Sequence, residues 1–209
     1  MIYVSCQFET PIGRSDYSDY VRALELDVSG CDDSGHRILL GKIAADQVLI
    51  ADAQNHGMSL FDVCDQDSQG LYEAYAALFD DKGEFQPELE IDEPTESLIF
   101  VWRAVLHARL RPYLQGVIDT IGTLFCNETV LVLWYRTSGM SDPELAELGF
   151  RRIAGSELIY RHSALRSAFS ESHPSGMDVP LDFEADEAVE EWVLREWKKD
   201  RLTFTDDQD

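Results

Sequence analysis

The sequence predicts a mixed α/β fold with an antiparallel N-terminal meander, a parallel strand–helix–strand core and an appended C-terminal helix. Three observations predict this class. Residues 98–105 (LIFVWRAV) and 129–135 (TVLVLWY) are apolar runs broken only by Arg103, which is typical of strands buried on both faces. Between them, residues 112–125 place apolar side chains at helical spacing. Residues 22–28 (RALELDV) alternate apolar and charged side chains, as half-buried strands do.

The N-terminal part of the chain predicts the meander. A strand over residues 2–8 comes first, and the alternating strand at 22–28 follows it. Residues 36–51 fit either two strands or one long bent strand with a bulge near Ala45 and Asp46. The other predictions here are a helical turn or loop at 16–21, a possible turn at 59–64, a helix at 68–79, and a surface loop or partner-facing strap with eight acids at 80–96.

The C-terminal half predicts the rest of the core. Pro112 is expected to open the helix between the two central strands, because its fixed φ suits a first helical turn. Asp142 is expected to cap a short helix with Pro143 at its first position, and that helix stops at Gly149. Residues 150–162 are predicted to form a strand with a bend at Gly155.

Two regions of the chain are predicted, 1–165 as an α/β domain and 166–209 as a Ser-rich linker, an acidic helix and a tail. Asp182 can cap the helix, which is expected over residues 183–199. Its Trp192 and Trp197 need a surface to be buried against. That surface is the parent domain, a partner or a second copy of the chain, so a homo-oligomer through this helix stays open.

The formal net charge of −23 argues against nonspecific binding to nucleic acid or to an anionic membrane, because both need the opposite sign. The charge is uneven. Residues 98–162 hold seven Arg and six acids, so this segment carries +1 and the rest of the chain −24. Either an anionic ligand binds there, or a central sheet simply excludes surface acids. The acidity elsewhere fits salt adaptation or solubility.

The cysteines and the N-terminus predict a cytoplasmic protein. The four cysteines are widely spaced, without a C-x-x-C pair or a histidine at metal-ligand spacing, as is typical of reduced thiols. Polar residues and an acid come too early in the chain for a signal peptide, and no apolar run is long enough to span a bilayer.

The order strand, helix, strand, short helix, strand over residues 97–162 resembles the C-terminal half of the GNAT acyl-CoA N-acyltransferase superfamily. The most specific part of the resemblance is residues 144–152 (ELAELGFRR), since that superfamily commonly carries a helix ending in Leu-Gly-Phe followed by a basic residue and a strand. The resemblance covers about a third of the chain. It implies a GNAT-like mixed sheet, with acetyl-CoA or another acyl-CoA as the acyl donor.

The resemblance also implies where the donor binds. The family's R/Q-x-x-G-x-G/A turn, whose backbone amides hold the coenzyme A pyrophosphate, corresponds to HARLRPYLQGV here, and Gly116 stands for one of its glycines. The tyrosine that the family often uses as a general acid corresponds to Leu145. Candidate coenzyme-binding residues are Val105, Arg109, Arg111, Tyr113, Gln115 and Gly116.

Three further residues are candidates for the chemistry itself. His107 follows the first central strand, where an acyltransferase would place a base or line its acceptor pocket; the alternative is a structural role. Tyr135 and Arg136 end the neighbouring strand and are expected to line the acceptor pocket, because ligands of open α/β sheets bind at the carboxyl ends of parallel strands.

Two functions remain from the sequence. In the first, the protein transfers an acetyl or other acyl group from acyl-CoA to the amine of a small molecule or protein, and its acidic surface favours a cationic acceptor. In the second, the fold is kept without catalysis, and the protein is an acidic binding or regulatory partner of a basic protein surface. The degenerate phosphate turn and Leu145 favour the second function, whereas the uninterrupted core fits both.

Overall fold

All strands of this computed structural model belong to one mixed sheet. The structure describes residues 1–9, 16–31, 35–92, 94–125, 128–163 and 187–199. Within them the strands are β1 (Ile2–Phe8), β2 (Val21–Cys31), β3 (Arg37–Val48), β4 (Ser97–Leu106), β5 (Thr129–Trp134), β6 (Arg151–Arg152) and β7 (Leu158–His162). Their order across the sheet is β1-β2-β3-β4-β5-β7-β6.

Helices occupy most of the connections between these strands. The α-helices of the described residues are α1 (Ile50–Asn55), α2 (Leu60–Asp67), α3 (Gln69–Leu78), α4 (Leu114–Leu124), α5 (Tyr135–Ser138), α6 (Asp142–Glu147) and α7 (Glu187–Lys199). The same residues form 3-10 helices at Tyr17–Tyr20, Pro87–Leu89 and Ala108–Tyr113. None of the described helices has the length and hydrophobicity that crossing a bilayer requires. The described residues are therefore mixed α/β, as the sequence predicts.

The strand pairing confirms both halves of the predicted sheet. Strands β1, β2, β3 and β4 pair with one another antiparallel, in sequence order. Strands β4 and β5 pair in parallel, from Ser97 opposite Thr129 to Val101 opposite Leu133. Parallel neighbours need a crossover connection, which α4 supplies here. Strand β7 returns antiparallel beside β5, and β6 pairs with β7.

Residues 37–48 form one long strand, which decides between the two possibilities for this stretch. The bulge against β4 lies beside Ala44 and Ala45, close to its expected place. Its extra residue, however, is on the other strand: Ala44 pairs with Arg103 and Ala45 with Val101, so Trp102 has no opposite residue on β3. Ile50 already belongs to α1, so the strand expected at 47–51 ends at Val48.

The sheet separates two apolar layers. Leu98, Phe100, Val130 and Val132 contact the layer of α1, α2 and α3, which we call the α3 face. Ile99, Leu131 and Ile159 contact α4 and α6 on the opposite side, the α4 face. The two sets alternate along β4, β5 and β7, as side chains on a strand must.

On the α3 face, helix and sheet approach closely at Gly70. A Cβ atom there would lie 2.7 Å from Cε1 of Phe100. Only a residue without a side chain allows this contact, so the sequence at this position sets the distance between α3 and β4.

Three sequence predictions about helix starts are corrected by the structure. Pro112 lies inside the 3-10 helix Ala108–Tyr113, and α4 begins only at Leu114. The helical backbone starts earlier because His107 Nδ1 accepts a hydrogen bond from the Arg109 N–H at 3.3 Å. Ser141, not Asp142, is the N-cap of α6, because it forms a capping box with Glu144. Asp142 is therefore the first residue of α6, and Pro143 is the second instead of the first.

Residues 59–64, expected as a turn, largely belong to α2, whose N-cap is Ser59. Residues 150–162 form a hairpin instead of one bent strand: Arg151 of β6 pairs with Tyr160 of β7, and Gly155 stands at φ +74° in the connection. A two-residue strand has no periodicity of its own, so only its partner reveals it.

The C-terminal helix α7 packs on β3 and β4 of its own chain. Trp197 is buried and Trp192 is half-buried, as the sequence predicts for both. Asp182, the boundary between residues 165 and 166, the Ser-rich stretch and the tail lie outside the described residues.

Candidate functional site

The two parallel strands part at the carboxyl end of the sheet. The ladder between β4 and β5 ends at the pair Val101–Leu133, whereas β4 continues to Leu106 alongside β3. Residues 102–106 of β4 therefore extend beyond their pairing with β5. The segments that follow β4 and β5 lie at this same edge, because parallel strands end together.

The bulge lies where the strands part, and it turns two successive side chains toward the α3 face. Directly paired residues share a face of the sheet, so Asp46 lies on the same face as Phe100, and Arg103 on the same face as Ala44. Ala44 and Asp46 are two positions apart on β3, so both pairs lie on one face. Phe100 contacts the α3 layer. The side chain of Trp102 reaches Asp46 with a hydrogen bond, so Trp102 and Arg103 both lie on the α3 face.

No helix of the described residues covers the part of the α3 face beside the bulge. Ala23, Glu25 and Trp102 are exposed there, Trp102 by 44%, and Asp46 is half-buried. Ala23 pairs with Asp46, and Glu25 pairs with Ala44, which places all of them side by side on one face. We call these four residues, Ala23, Glu25, Asp46 and Trp102, the open strip.

Helix α7 borders the open strip on the side of the carboxyl edge. The Trp197 ring lies 4.3 Å from the Arg103 guanidinium and 5.6 Å from the Lys42 ammonium. Arg103 Nη2 donates hydrogen bonds to the carbonyls of Trp197 at 2.6 Å and Glu196 at 3.3 Å. Lys42 also forms an ion pair with Asp27 of β2. The two cationic side chains on this part of the face are thus engaged by α7 and β2.

Within the open strip, Asp46 has an unusual protonation equilibrium. Burial raises the pKa of the Asp46 carboxyl to about 6, the negative charge of Asp67 adds to the rise, and the hydrogen bond from Trp102 opposes it. Partial burial also raises the pKa of Asp67, which lies at the end of α2, although much of its side chain remains exposed. No Lys, Arg or His side chain of the described residues forms an ion pair with Asp46.

Asp46 and Trp102 are not among the site residues that the sequence predicts. A signal was available for Asp46, since it is the one charged residue in the mostly apolar run IAADQVLIA. Strand periodicity could not identify Trp102, because an unpaired bulge residue depends on the register between β3 and β4.

The predicted coenzyme-binding residues lie on the segment that follows β4. Arg109 and Arg111 are exposed on the 3-10 helix, and Tyr113 is the N-cap of α4 without a side-chain hydrogen bond to the helix. Gln115 and Gly116 are in the first turn of α4, and nothing lies within 4 Å of a Cβ built on Gly116. Val105 precedes them in β4, opposite Lys42. The helical backbone continues from the 3-10 helix into α4, because the Leu114 N–H donates to the Arg111 carbonyl.

Arg111 and Gln115 each contact a carboxylate of the chain. Arg111 Nη2 lies 2.6 Å from Glu144 Oε1, which joins the 3-10 helix to the start of α6. Hydrogen bonds from the Ser141 backbone and hydroxyl, then the charge of Arg111, lower the pKa of Glu144. Gln115 Nε2 donates to both carboxylate oxygens of Asp119 at 2.9 Å.

The predicted acceptor residues follow β5 at the same edge. Tyr135 is the first residue of α5, one position beyond the strand, and the Arg152 guanidinium lies 3.3 Å from the centre of its ring. Arg152 is held by Asp142 at 2.9 Å. Arg136 is exposed, with its guanidinium 5.6 Å from the centre of the Trp134 ring. The structure therefore brings arginines from three segments, Arg111, Arg136 and Arg152, to one end of the sheet.

His107 has a structural role in addition to its predicted catalytic one. Its Nδ1 caps the 3-10 helix, and its ring meets the Trp192 ring edge-on at 5.3 Å between centres. The His107 N–H donates to the Leu40 carbonyl of β3 at 2.8 Å. Successive N–H groups alternate sides in an antiparallel strand, so the Leu106 N–H points toward the side of β5. A backbone donor for an oxyanion is thus available at Leu106 and not at His107.

The described residues hold no group of three or more His, Cys, Asp and Glu side chains that could bind a metal ion. Comparisons with known proteins add no assignment to this geometry. No family model matches the chain, and no curated protein or solved structure matches it significantly.

Proposed function

We propose that the protein is an acyl-CoA-dependent N-acyltransferase with a GNAT-like sheet. The observation that carries the proposal is the parting of β4 from β5 beyond Val101 and Leu133, at a bulge in β4 and ahead of the segment that bears Arg109 and Arg111. An extended ligand can lie along the free edge of residues 102–106, as a strand added to a sheet does. Its anionic end then reaches Arg109 and Arg111.

The residues at this edge fit the chemistry of an acyl-CoA in two respects. Exposed guanidinium groups suit its phosphates, and Arg109 and Arg111 stand on the segment that leads into α4. The backbone N–H of Leu106 lies between this segment and the parted strands, where it can donate to a carbonyl oxygen. The bound donor would supply the activated acyl group.

The proposal is tested by coenzyme binding. Acetyl-CoA should raise the melting temperature, since a ligand that binds only the folded state stabilises it by about 2.7 kcal/mol at a hundredfold excess over its dissociation constant. Pantetheine, which lacks the phosphates, should shift it less. Combined Arg109→Ala and Arg111→Ala substitutions should weaken the acetyl-CoA shift at least tenfold in apparent affinity, because hydrogen bonds to charged groups contribute about 1.5–3 kcal/mol.

The matched control is Arg195→Ala, which removes an exposed arginine from α7. It should leave the acetyl-CoA shift unchanged. If millimolar acetyl-CoA leaves the melting temperature unchanged, the protein does not bind the acyl donor and the proposed acyltransferase function is wrong. A shift that survives replacement of both Arg109 and Arg111 would keep the enzyme but discard this phosphate site.

One observation favours the second candidate function, an acidic binding protein without catalysis. Arg111 and Arg152 are both paired with carboxylates of α6, so part of the positive charge at the edge is neutralised within the chain. In that case the amine-rich partner is a basic protein surface, and acetyl-CoA produces no shift.

A further inference from the structure

We infer that the open strip binds the ammonium group of a primary alkylamine, through the Asp46 carboxylate and the face of the Trp102 indole. If the protein is an acyltransferase, this amine is the acceptor of its acyl group. Only that role of the amine rests on the proposed function. Binding of the amine is a separate property and can be measured without a coenzyme.

The Asp46 carboxylate has no ion-pair partner among the described residues. Asp46 is half-buried in mid-sheet, and among the described residues its polar contacts include a hydrogen bond from Trp102 but no ion pair. Lys42 and Arg103 lie on the same face, yet α7 and Asp27 engage both. A partly buried carboxylate without a cation is stabilised when a cation arrives.

The indole ring of Trp102 lies exposed beside the Asp46 carboxylate. Trp102 is 44% exposed although it belongs to a central strand of the sheet. Among side chains, indole has the ring face that attracts an organic cation most strongly, whereas its N–H is directed to Asp46. A carboxylate and a ring face side by side select an ammonium group on an alkyl chain over an anion or a neutral molecule.

The open strip lies beside the point where β4 and β5 part. The proposed phosphate site lies at the start of α4, on the α4 face, whereas Asp46 and Trp102 lie on the α3 face. Trp102 is also the first residue of β4 beyond its ladder with β5. An acyl group held between the parted strands would therefore meet an amine that approaches from the open strip.

A metal ion is a poorer occupant of this strip. The described residues offer no set of three metal-ligating side chains there, and a ring face is not a ligand for a hard cation. The test below uses an organic cation for this reason.

The experiment follows the indole N–H signals in a ¹⁵N–¹H correlation spectrum during titration with n-butylammonium, in a buffer free of other amines. The chain has four tryptophans, and Trp102→Phe identifies the signal of Trp102 by its loss. We expect saturable movement of that signal alone, and none with n-butanol, which has nearly the same shape without the charge. Asp46→Asn should weaken binding about tenfold or more, since hydrogen bonds to charged groups discriminate on that scale.

The matched control is Asp65→Asn, which removes an exposed carboxylate from α2 and lowers the net negative charge equally. It should change the affinity by less than twofold. The inference would be overturned if Asp46→Asn and Asp65→Asn weakened binding equally, because only the overall charge would then attract the amine. It would also be overturned if other signals of the spectrum moved to saturation while the Trp102 signal stayed in place.

The outcome is distinguishable from failure of the proposed function. If n-butylammonium binds at Trp102 but acetyl-CoA does not bind, the amine site is supported and the acyltransferase function is rejected. If acetyl-CoA binds and the Trp102 signal does not move, the transferase stands and its acceptor lies elsewhere.

Discussion

At the scale of single residues, Asp46 couples stability to pH. The pKa of its carboxyl is raised to about 6 in the folded protein, whereas an unfolded chain ionises near pH 4. The stabilising contribution of this group is therefore complete below about pH 4 and is lost as the pH rises through 6. Asp67 and Trp102 are the groups that act on it most directly.

Asp46→Asn removes this pH dependence. We expect its free energy of unfolding to exceed that of the wild type by about 1–2 kcal/mol at pH 7.5 and to equal it at pH 4, because only the ionised carboxylate is penalised. Urea unfolding followed by circular dichroism at both pH values measures the difference. Asp65→Asn should change stability by less than about 0.5 kcal/mol at either pH. A gain for Asp46→Asn that is equal at both pH values would refute this account.

Two glycines on helices should respond in opposite directions to the same change. Gly70→Ala should destabilise the protein by about 1–3 kcal/mol, because its Cβ would lie 2.7 Å from Cε1 of Phe100. Gly116→Ala should stabilise it by about 0.5–1 kcal/mol, because alanine favours a helix and the space around Gly116 is open. Urea midpoints measure both variants. A neutral Gly70→Ala would mean that α3 can move away from the sheet without loss.

At the scale of elements, α7 buries Val189, Val193 and Trp197, of which Trp197 has the largest side chain. Trp197 is 7% exposed and lies beside the guanidinium of Arg103. Trp197→Ala should therefore lower the free energy of unfolding by about 2–3 kcal/mol. Leu194→Ala on the same helix should change it by less than about 0.5 kcal/mol, since Leu194 is exposed.

Thermal melting of the two variants checks this prediction, and removal of residues 180–209 should lower the melting temperature further than Trp197→Ala. A truncated monomer that melts like the full chain would show that α7 contributes nothing to this domain and serves a partner.

The elements that the sequence predicted best are those whose environment is uniform. The first four residues of β4 and the first four of β5 are buried, so an apolar run marks both strands. Helix α2 was missed although Ser59 caps it, because only Leu60, Val63 and Cys64 are buried in it. Strand β6 exists through its pairing with β7 and leaves no pattern of its own.

At the scale of the whole molecule, the sequence located one side of the candidate site and missed the other. Arg109, Arg111, Tyr113, Gln115 and Gly116 are neighbours along the chain, so reading the turn after β4 was enough to group them. Trp102 and Asp46 are 56 positions apart and meet only through the register of β3 on β4. The partners of Arg111 and Arg152 likewise come from α6, and such pairings require the folded chain.

Strand β3 gains its second neighbour late while the chain is synthesised. Val48 pairs with Leu98, fifty residues further on, because α1, α2 and α3 come between them. Ribosomes add about 5–20 residues per second, so one edge of a newly formed β2–β3 hairpin stays open for roughly 3 to 10 seconds. An open strand edge is a template for pairing with another chain. The time during which nascent copies can associate is thus set by the length of the helical insertion.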